Sequence, residues 1–186
     1  MRSMLIALLL LLVPTFHSGA RAAPSEARAA LAKQRALSLE RLRAYRDAGQ
    51  FASDRDGRPA SVFRDHAGRL CPMAHLIAAS GRMDLVDQVA RTNNTLRLAD
   101  VTEGPLWDWM LNSGLTREEI IRIQGAMEIS FQLPNEVSPT ILAHASPDRL
   151  HRYVVRRITA IVRDLVRATA TSLAVAEGRL LQPAKR

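Results

Sequence analysis

Hydrophobic residues recur along most of the chain at the three- and four-residue spacing of an amphipathic helix. In residues 25–48 this spacing places Leu31 and Leu42 on one side, as expected when one helix face is buried. Ser25 is a typical N-cap residue, and Gly49 is a typical residue after a helix C-terminus. The pattern therefore predicts a first helix that begins after Ser25 and ends before Gly49.

Four shorter helices are predicted in the middle of the chain, separated by glycine or asparagine residues. The clearest start is Thr116, which forms the Thr-x-x-Glu capping-box pattern with Glu119. Pro72 suits the first turn of another helix. In chain order, the predictions are a helix from Pro72 to Gly81, one over 83–91, one capped by Thr102 that contains 105–112, and one after Thr116.

Between the first helix and Pro72, the pattern changes to two short apolar runs around a turn. The runs 61–64 and 69–71 flank the polar segment Asp65-His66-Ala67-Gly68. Apolar runs on either side of a segment that ends in glycine are typical of a β-hairpin. We therefore expect one small β-hairpin near residues 61–71, within a helical domain over 23–131.

The C-terminal third predicts a linker followed by one long helix. Residues 132–146 contain Pro134 and Pro139 and are interpreted as a proline-containing linker. Ser146-Pro147 is an N-cap followed by a first-turn proline, and no glycine or proline interrupts the chain until Gly178. This predicts a helix over 147–178 and a tail over 179–186. The fold class is mainly α: a compact array of short helices with one small β-hairpin, plus a long C-terminal amphipathic helix.

The first 22 residues have the features of a cleavable secretory signal. Arg2 is followed by an apolar run over 4–13, and Ala20-Arg21-Ala22 places small residues at the cleavage site. A membrane-spanning helix needs about 20 apolar residues, so this run is too short to be a stable anchor. We expect cleavage near Ala22 and a periplasmic or extracellular protein that has no transmembrane segment in its mature chain.

The charge of the chain adds a candidate binding surface. Its formal net charge is +8, an excess that favours anionic partners. On the last predicted helix, five arginines fall within about 60° of one another, opposite Leu150, Val154 and Ile158. These arginines are Arg149, Arg152, Arg156, Arg163 and Arg167.

Three roles are open for this basic amphipathic helix. It would lie on anionic lipid, contact a nucleic acid backbone, or pack on the domain with its arginines in water. Nucleic acid is the least favoured, because an exported protein meets little DNA and Phe131 and Tyr153 do not form a stacking platform. The expected partner is an acidic protein or an anionic surface, and the oligomeric state stays open.

Cys71 is the sharpest chemical candidate because it is the one cysteine of the chain and precedes Pro72. A helix N-terminus lowers the pKa of a thiol, and His75 follows one turn later. Cys71 would act as a nucleophile paired with His75, join His75 and His66 in a zinc site, or ligate haem as part of a Cys-Pro pair. The alternative is a small buried residue that anchors the hairpin. We favour the buried role, so no cofactor is assigned and a non-enzymatic protein is expected.

Residues 62–124 resemble the core of an uncharacterised group of exported bacterial proteins, over about a third of the chain. Many members have a glycine-aromatic pair soon after the cysteine, where this chain has Ala74-His75, so no role for His75 carries over. The resemblance implies export and a shared core, without implying an activity. It rests on the core pattern Val62-Phe63, Asp65, Gly68, Cys71, Leu76-Ile77, Ser80-Gly81, Asn94, Gly114-Leu115-Thr116, Glu118-Glu119 and Ile123-Gln124.

Taken together, these features predict an exported, non-enzymatic binding or structural module. Its basic C-terminal helix would contact an acidic partner or surface. The alternative is a thiol protein that depends on Cys71, or a metal- or haem-binding protein that uses Cys71 and His75. Burial of Cys71 favours the first prediction, and an open pocket shared by Cys71 with His75 or His66 favours the second.

Overall fold

The computed structural model describes residues 25–128 and 145–180. The predicted signal peptide, residues 132–144 of the predicted linker and residues 181–186 of the predicted tail lie outside the described residues. Two short 3-10 turns, Leu98–Asp100 and Gly125–Met127, accompany the helices. The helices of this part are α1 (Glu26–Ala48), α2 (Pro72–Ala79), α3 (Met83–Thr92), α4 (Gly104–Asn112), α5 (Arg117–Gln124), α6 (Pro147–Arg167) and α7 (Thr169–Leu180).

Helix α1 packs against three other helices, α2, α6 and α7. The Ser25 hydroxyl accepts a hydrogen bond from the Arg28 amide at 3.1 Å, and Gly49 ends the helix with a left-handed φ of 63°. Leu31 and Leu42 are buried, as the spacing predicts. Both predicted ends of α1 are therefore confirmed, because each depends on local capping contacts.

The predicted capping box of α5 is also present. Thr116 accepts from the Glu119 amide, and the Glu119 carboxylate accepts from the Thr116 amide. The predicted cap of α4 is wrong, because Glu103 rather than Thr102 occupies the extended position before that helix. None of the helices within residues 25–128 and 145–180 combines the length and the apolar character that a bilayer span requires.

The predicted β-hairpin is wrong, since neither described range contains a β-strand. Only an isolated bridge between Arg64 and Leu70 forms there. The Asn94 side chain accepts from the Arg64 amide at 2.9 Å and donates to the Arg64 carbonyl at 2.8 Å. The Asn94 amide group thus occupies the outer edge of the segment around Arg64. Helix α2 begins at Pro72, so the pairing between residues 64 and 70 does not extend further.

Two similar turns lie in this part of the chain, the first just before the expected hairpin and the second within it. They begin at Asp54 and Asp65, which are eleven positions apart, and each follows the sequence Asp-x-x-Gly-Arg. In both, the carboxylate accepts amide hydrogen bonds from the residues two and four positions later. Ser53 donates its amide to Asp65 at 3.0 Å, which joins the turns. Residues 53–70 therefore contain two linked turns, each stabilised by an aspartate carboxylate. Each turn is closed by one isolated β-bridge, and neither bridge extends into a strand.

The long C-terminal helix docks on the domain and is divided at Ala168 rather than continuous over 147–178. Leu150, Val154 and Ile158 are buried in the core shared with the short helices. Near the division, the Leu165 carbonyl accepts hydrogen bonds from the Arg35 side chain and the Thr169 hydroxyl. A guanidinium from α1 therefore binds a carbonyl of the last turn of α6, a contact that local sequence does not reveal.

Candidate functional site

Cys71 is the N-cap residue of α2, and its side chain is buried at 2% relative exposure. Its sulfur accepts a hydrogen bond from the Ala74 amide at 3.4 Å. Burial raises the pKa of the Cys71 thiol to about 11, and the amides at the start of α2 offset this only in part. The thiol is therefore protonated at neutral pH and works as a cap, not as an activated nucleophile.

The predicted partners of Cys71 do not assemble around it. The His75 ring packs against Tyr45, with 5.0 Å between ring centroids. Burial and then the charge of Arg41 lower the pKa of His75, which favours the neutral imidazole. His66 lies exposed on the second turn. Within the described ranges, no group of three or more potential metal ligands forms, so the geometry assembles no such centre from Cys71, His75 and His66.

The His75 ring instead begins a row of four rings that crosses the domain. Tyr45 lies between His75 and Phe51, and the Tyr45–Phe51 centroid distance is 5.3 Å. Phe51 then packs against His151 of α6 at 4.9 Å. The Tyr45 hydroxyl donates to the Leu70 carbonyl at 2.9 Å, and burial raises its pKa. The row fastens α6 and α2 to α1 through residues that sequence spacing does not connect.

The side chains of Asn94 and Gln124 each form hydrogen bonds with backbone groups of another segment. Asn94 binds both backbone groups of Arg64, as described above. Gln124 accepts from the Leu98 amide at 2.8 Å and donates to the Leu96 carbonyl at 2.7 Å. Both side chains therefore support irregular segments that have no regular backbone partner.

Gly114 has an equally specific structural role. Its φ is 73°, and a Cβ atom built on it would lie 2.2 Å from the Leu31 carbonyl oxygen of α1. Any side chain would therefore collide with the backbone of α1. Like the cap at Cys71 and the amides of Asn94 and Gln124, Gly114 therefore has a role in the fold of this chain.

A buried ion pair, which the periodicity does not predict, joins α1 to α5. The Arg35 guanidinium donates to both carboxylate oxygens of Glu119, each at 2.7 Å. It also donates to the Gly114 carbonyl, the Leu165 carbonyl and the Thr169 hydroxyl. Five acceptors thus match its five N–H groups.

Glu119 is equally well supplied with donors. Ser172 of α7 donates to one of its oxygens at 2.7 Å, and the Thr116 amide donates to the other at 2.8 Å. Burial alone would raise the pKa of Glu119, but hydrogen bonds from Arg35, Thr116 and Ser172 give a net lowering. The pair is charged, and its role is to hold α1, α5, α6 and α7 together.

The predicted arginine set of α6 lies in solvent. We call Arg149, Arg152, Arg156, Arg163 and Arg167 the arginine face; all five are exposed. At 1.5 Å per residue it extends over about 27 Å. Arg163 contacts Asp164 at 3.5 Å, and within the described part of the chain no carboxylate pairs with the other four.

The other charges of α6 leave most of this face unpaired. Asp164 accepts a hydrogen bond from Arg122 of α5 at 2.5 Å. Arg157 points towards the core side and donates to the Glu128 carbonyl at 2.5 Å. The arginine face therefore presents several unpaired positive charges in one row.

Comparison of the chain with protein-family models, curated proteins and solved structures gives no significant match. The case for a functional site therefore depends on the geometry and charge of the chain itself. By that measure, Cys71 and the Arg35–Glu119 pair are internal, and the arginine face is the predicted site that solvent and partners reach.

Proposed function

We propose that this protein is an exported, non-enzymatic binding module whose arginine face contacts an extended anionic surface. The observation that carries the proposal is the exposed row on α6, in which four of five arginines have no carboxylate partner in the described structure. Guanidinium groups bind carboxylate and phosphate through paired hydrogen bonds. A row of them on one rigid helix suits a surface with many such groups.

The contact would be electrostatic rather than insertion into a bilayer. An amphipathic helix that lies in a membrane interface buries its apolar side among the lipids. The apolar side of α6 is already buried in the protein core through Leu150, Val154 and Ile158. Binding should therefore weaken strongly as salt rises, because exposed charges are screened over a Debye length of about 8–10 Å near physiological ionic strength.

The non-enzymatic part of the proposal has separate support. The one cysteine is buried with a raised pKa, and many polar residues of the core pattern are used in backbone contacts and caps. No observation in the described residues favours the thiol, metal or haem alternative. The arginine face requires none of these chemistries.

Export is supported by the charge and apolar pattern of residues 1–22. We expect the mature chain to begin at Ala23 and to lie in the periplasm or outside the cell. N-terminal sequencing of the protein recovered from those fractions tests this. Recovery there only of a chain that begins at Met1 would contradict cleavage.

The binding proposal is tested with vesicles and two charge-matched variants. The triple variant R152Q/R156Q/R163Q removes three charges from the arginine face. The control R55Q/R91Q/R97Q removes three exposed arginines from other parts of the chain. Vesicles of phosphatidylglycerol mixed with phosphatidylcholine, and of phosphatidylcholine alone, are sedimented with each protein at low salt.

We expect the wild-type protein and the control to bind the anionic vesicles, and none of the proteins to bind the neutral ones. At about 1 kcal/mol for each arginine near an anionic surface, the α6 variant should bind on the order of 100-fold more weakly. Equal loss in both variants would assign the effect to net charge alone. Absence of wild-type binding to anionic vesicles would reject this surface.

A further inference from the structure

A groove of about 430 Å³ lies between α1, α4 and the end of α7, and no residue of the arginine face lines it. Ala27 and Ala30 line it on α1, Trp109 lines it on α4, and Leu180 lies at its edge. Its volume is within the usual range for small-molecule sites. The small side chains of the two alanines leave room that larger residues would fill.

The tryptophan of this groove is held in a defined position. The Trp109 indole N–H donates to the Ser80 hydroxyl at 2.8 Å, and that hydroxyl donates to the Ile77 carbonyl at 2.6 Å. Trp109 is only half-buried, so part of its ring remains available for contact. A fixed aromatic ring beside small residues favours a flat or elongated apolar group.

The charge that lines the groove has one sign. Arg41 and Arg82 line it, and no aspartate or glutamate does. Arg82 is paired with Asp84 at 2.8 Å. In the described ranges Arg41 has no carboxylate partner, and Gln34, two turns earlier on α1, adds an amide to the lining. Arg41 therefore supplies a positive charge next to an apolar surface.

We propose that this groove binds a small organic acid: an apolar body with one anionic group. The anionic group would pair with the Arg41 guanidinium, whose N–H groups match the geometry of a carboxylate or sulfonate. The apolar body would lie against Trp109 and over Ala27 and Ala30. A cationic ligand is disfavoured by Arg41, and the proposal does not depend on the arginine face of α6.

The test uses two fluorescent probes that differ in a single group. The anionic probe is 1-anilinonaphthalene-8-sulfonate, and the neutral probe is N-phenyl-1-naphthylamine. The variant R41Q removes the proposed anion contact. The control R43Q removes an exposed charge from the same helix, at a position outside the groove.

We expect the wild-type protein to bind one equivalent of the anionic probe. In R41Q the affinity for this probe should fall roughly ten- to hundred-fold, as expected for loss of a hydrogen bond to a charged group. Affinity for the neutral probe should change little, and R43Q should bind both probes like the wild type. Equal effects of R41Q and R43Q would overturn the assignment to Arg41.

A second variant tests the location independently of charge. Ala30 is exposed on α1, and leucine is a good helix former, so A30L should fold normally and occupy the groove. We expect A30L to abolish binding of both probes while its circular dichroism spectrum and thermal midpoint match the wild type. Undiminished or stronger binding of the anionic probe in a folded A30L would overturn the proposal.

Discussion

Arg35 and Arg156 lie on helices that pack against each other, yet their surroundings are opposite. Arg35 of α1 is 1% exposed and uses all of its N–H groups within the protein. Arg156 of α6 is exposed and has no carboxylate partner in the described structure. An arginine side chain thus holds helices together at position 35, whereas at position 156 its charge remains available for a partner.

The difference in burial between Arg35 and Arg156 indicates which charges of this basic protein are available for binding. Net charge counts Arg35 and Arg156 equally, but only the second is exposed and available for an external contact. A buried charge is tolerated when its pair and its remaining donors are satisfied. If the inner and outer charges differ in energy as they do in position, substitutions at the two places should have very different effects.

The largest effect is expected from the matched variants R35M and R156M. R35M leaves Glu119 charged, buried and without its main partner, which should lower the free energy of unfolding by about 3–5 kcal/mol. R156M changes an exposed side chain and should stay within about 0.5 kcal/mol. Urea denaturation followed by circular dichroism measures both. Similar losses in the two variants would remove the distinction between inner and outer arginines.

Thiol reactivity gives the second comparison. The wild-type protein has only Cys71, whereas the variant C71S/R156C keeps a hydroxyl cap on α2 and places one thiol on the arginine face. Given a pKa of about 11 for Cys71 and about 8.5 for an ordinary thiol, the thiolate fraction at pH 8 differs on the order of 100-fold. Labelling with iodoacetamide should be slower in the wild type by at least this factor. Equal rates would show that Cys71 is accessible and reactive.

A smaller effect is expected from Glu119 in acid. Its pKa is lowered in the folded protein, so its stabilising contribution is present above the unfolded value of about 4.3. That contribution is lost as pH falls from there through the folded pKa. Between about pH 5 and pH 2, the wild type should therefore lose more stability than E119Q. Parallel pH profiles for the two proteins, measured by urea denaturation, would contradict a charged Glu119.

The features predicted correctly from sequence depend on local contacts. Ser25, Gly49 and the Thr116–Glu119 box are confirmed because a cap binds the backbone within three or four residues of itself. The five arginines on α6 are exposed, since helical periodicity separates them from the apolar side, and their role in binding stays a prediction.

The features missed depend on residues distant in sequence. Arg35 lies on the side of α1 that contacts α5, α6 and α7, and its partner Glu119 was assigned only to a cap. The expected hairpin stops at a single bridge, and Asn94, thirty positions away, binds the outer edge of its first segment. Neither contact leaves a periodic signal in a single sequence.

The carbonyl of Leu165 connects the inner and outer parts of the molecule. Arg35 binds this carbonyl at 2.6 Å, three residues before the helix divides at Ala168 and two residues before Arg167 ends the arginine face. The Arg35 side chain therefore links the buried Glu119 to the last turn of α6, on which the arginine face ends. The buried ion pair and the C-terminal end of the exposed arginine row therefore meet at a single backbone carbonyl.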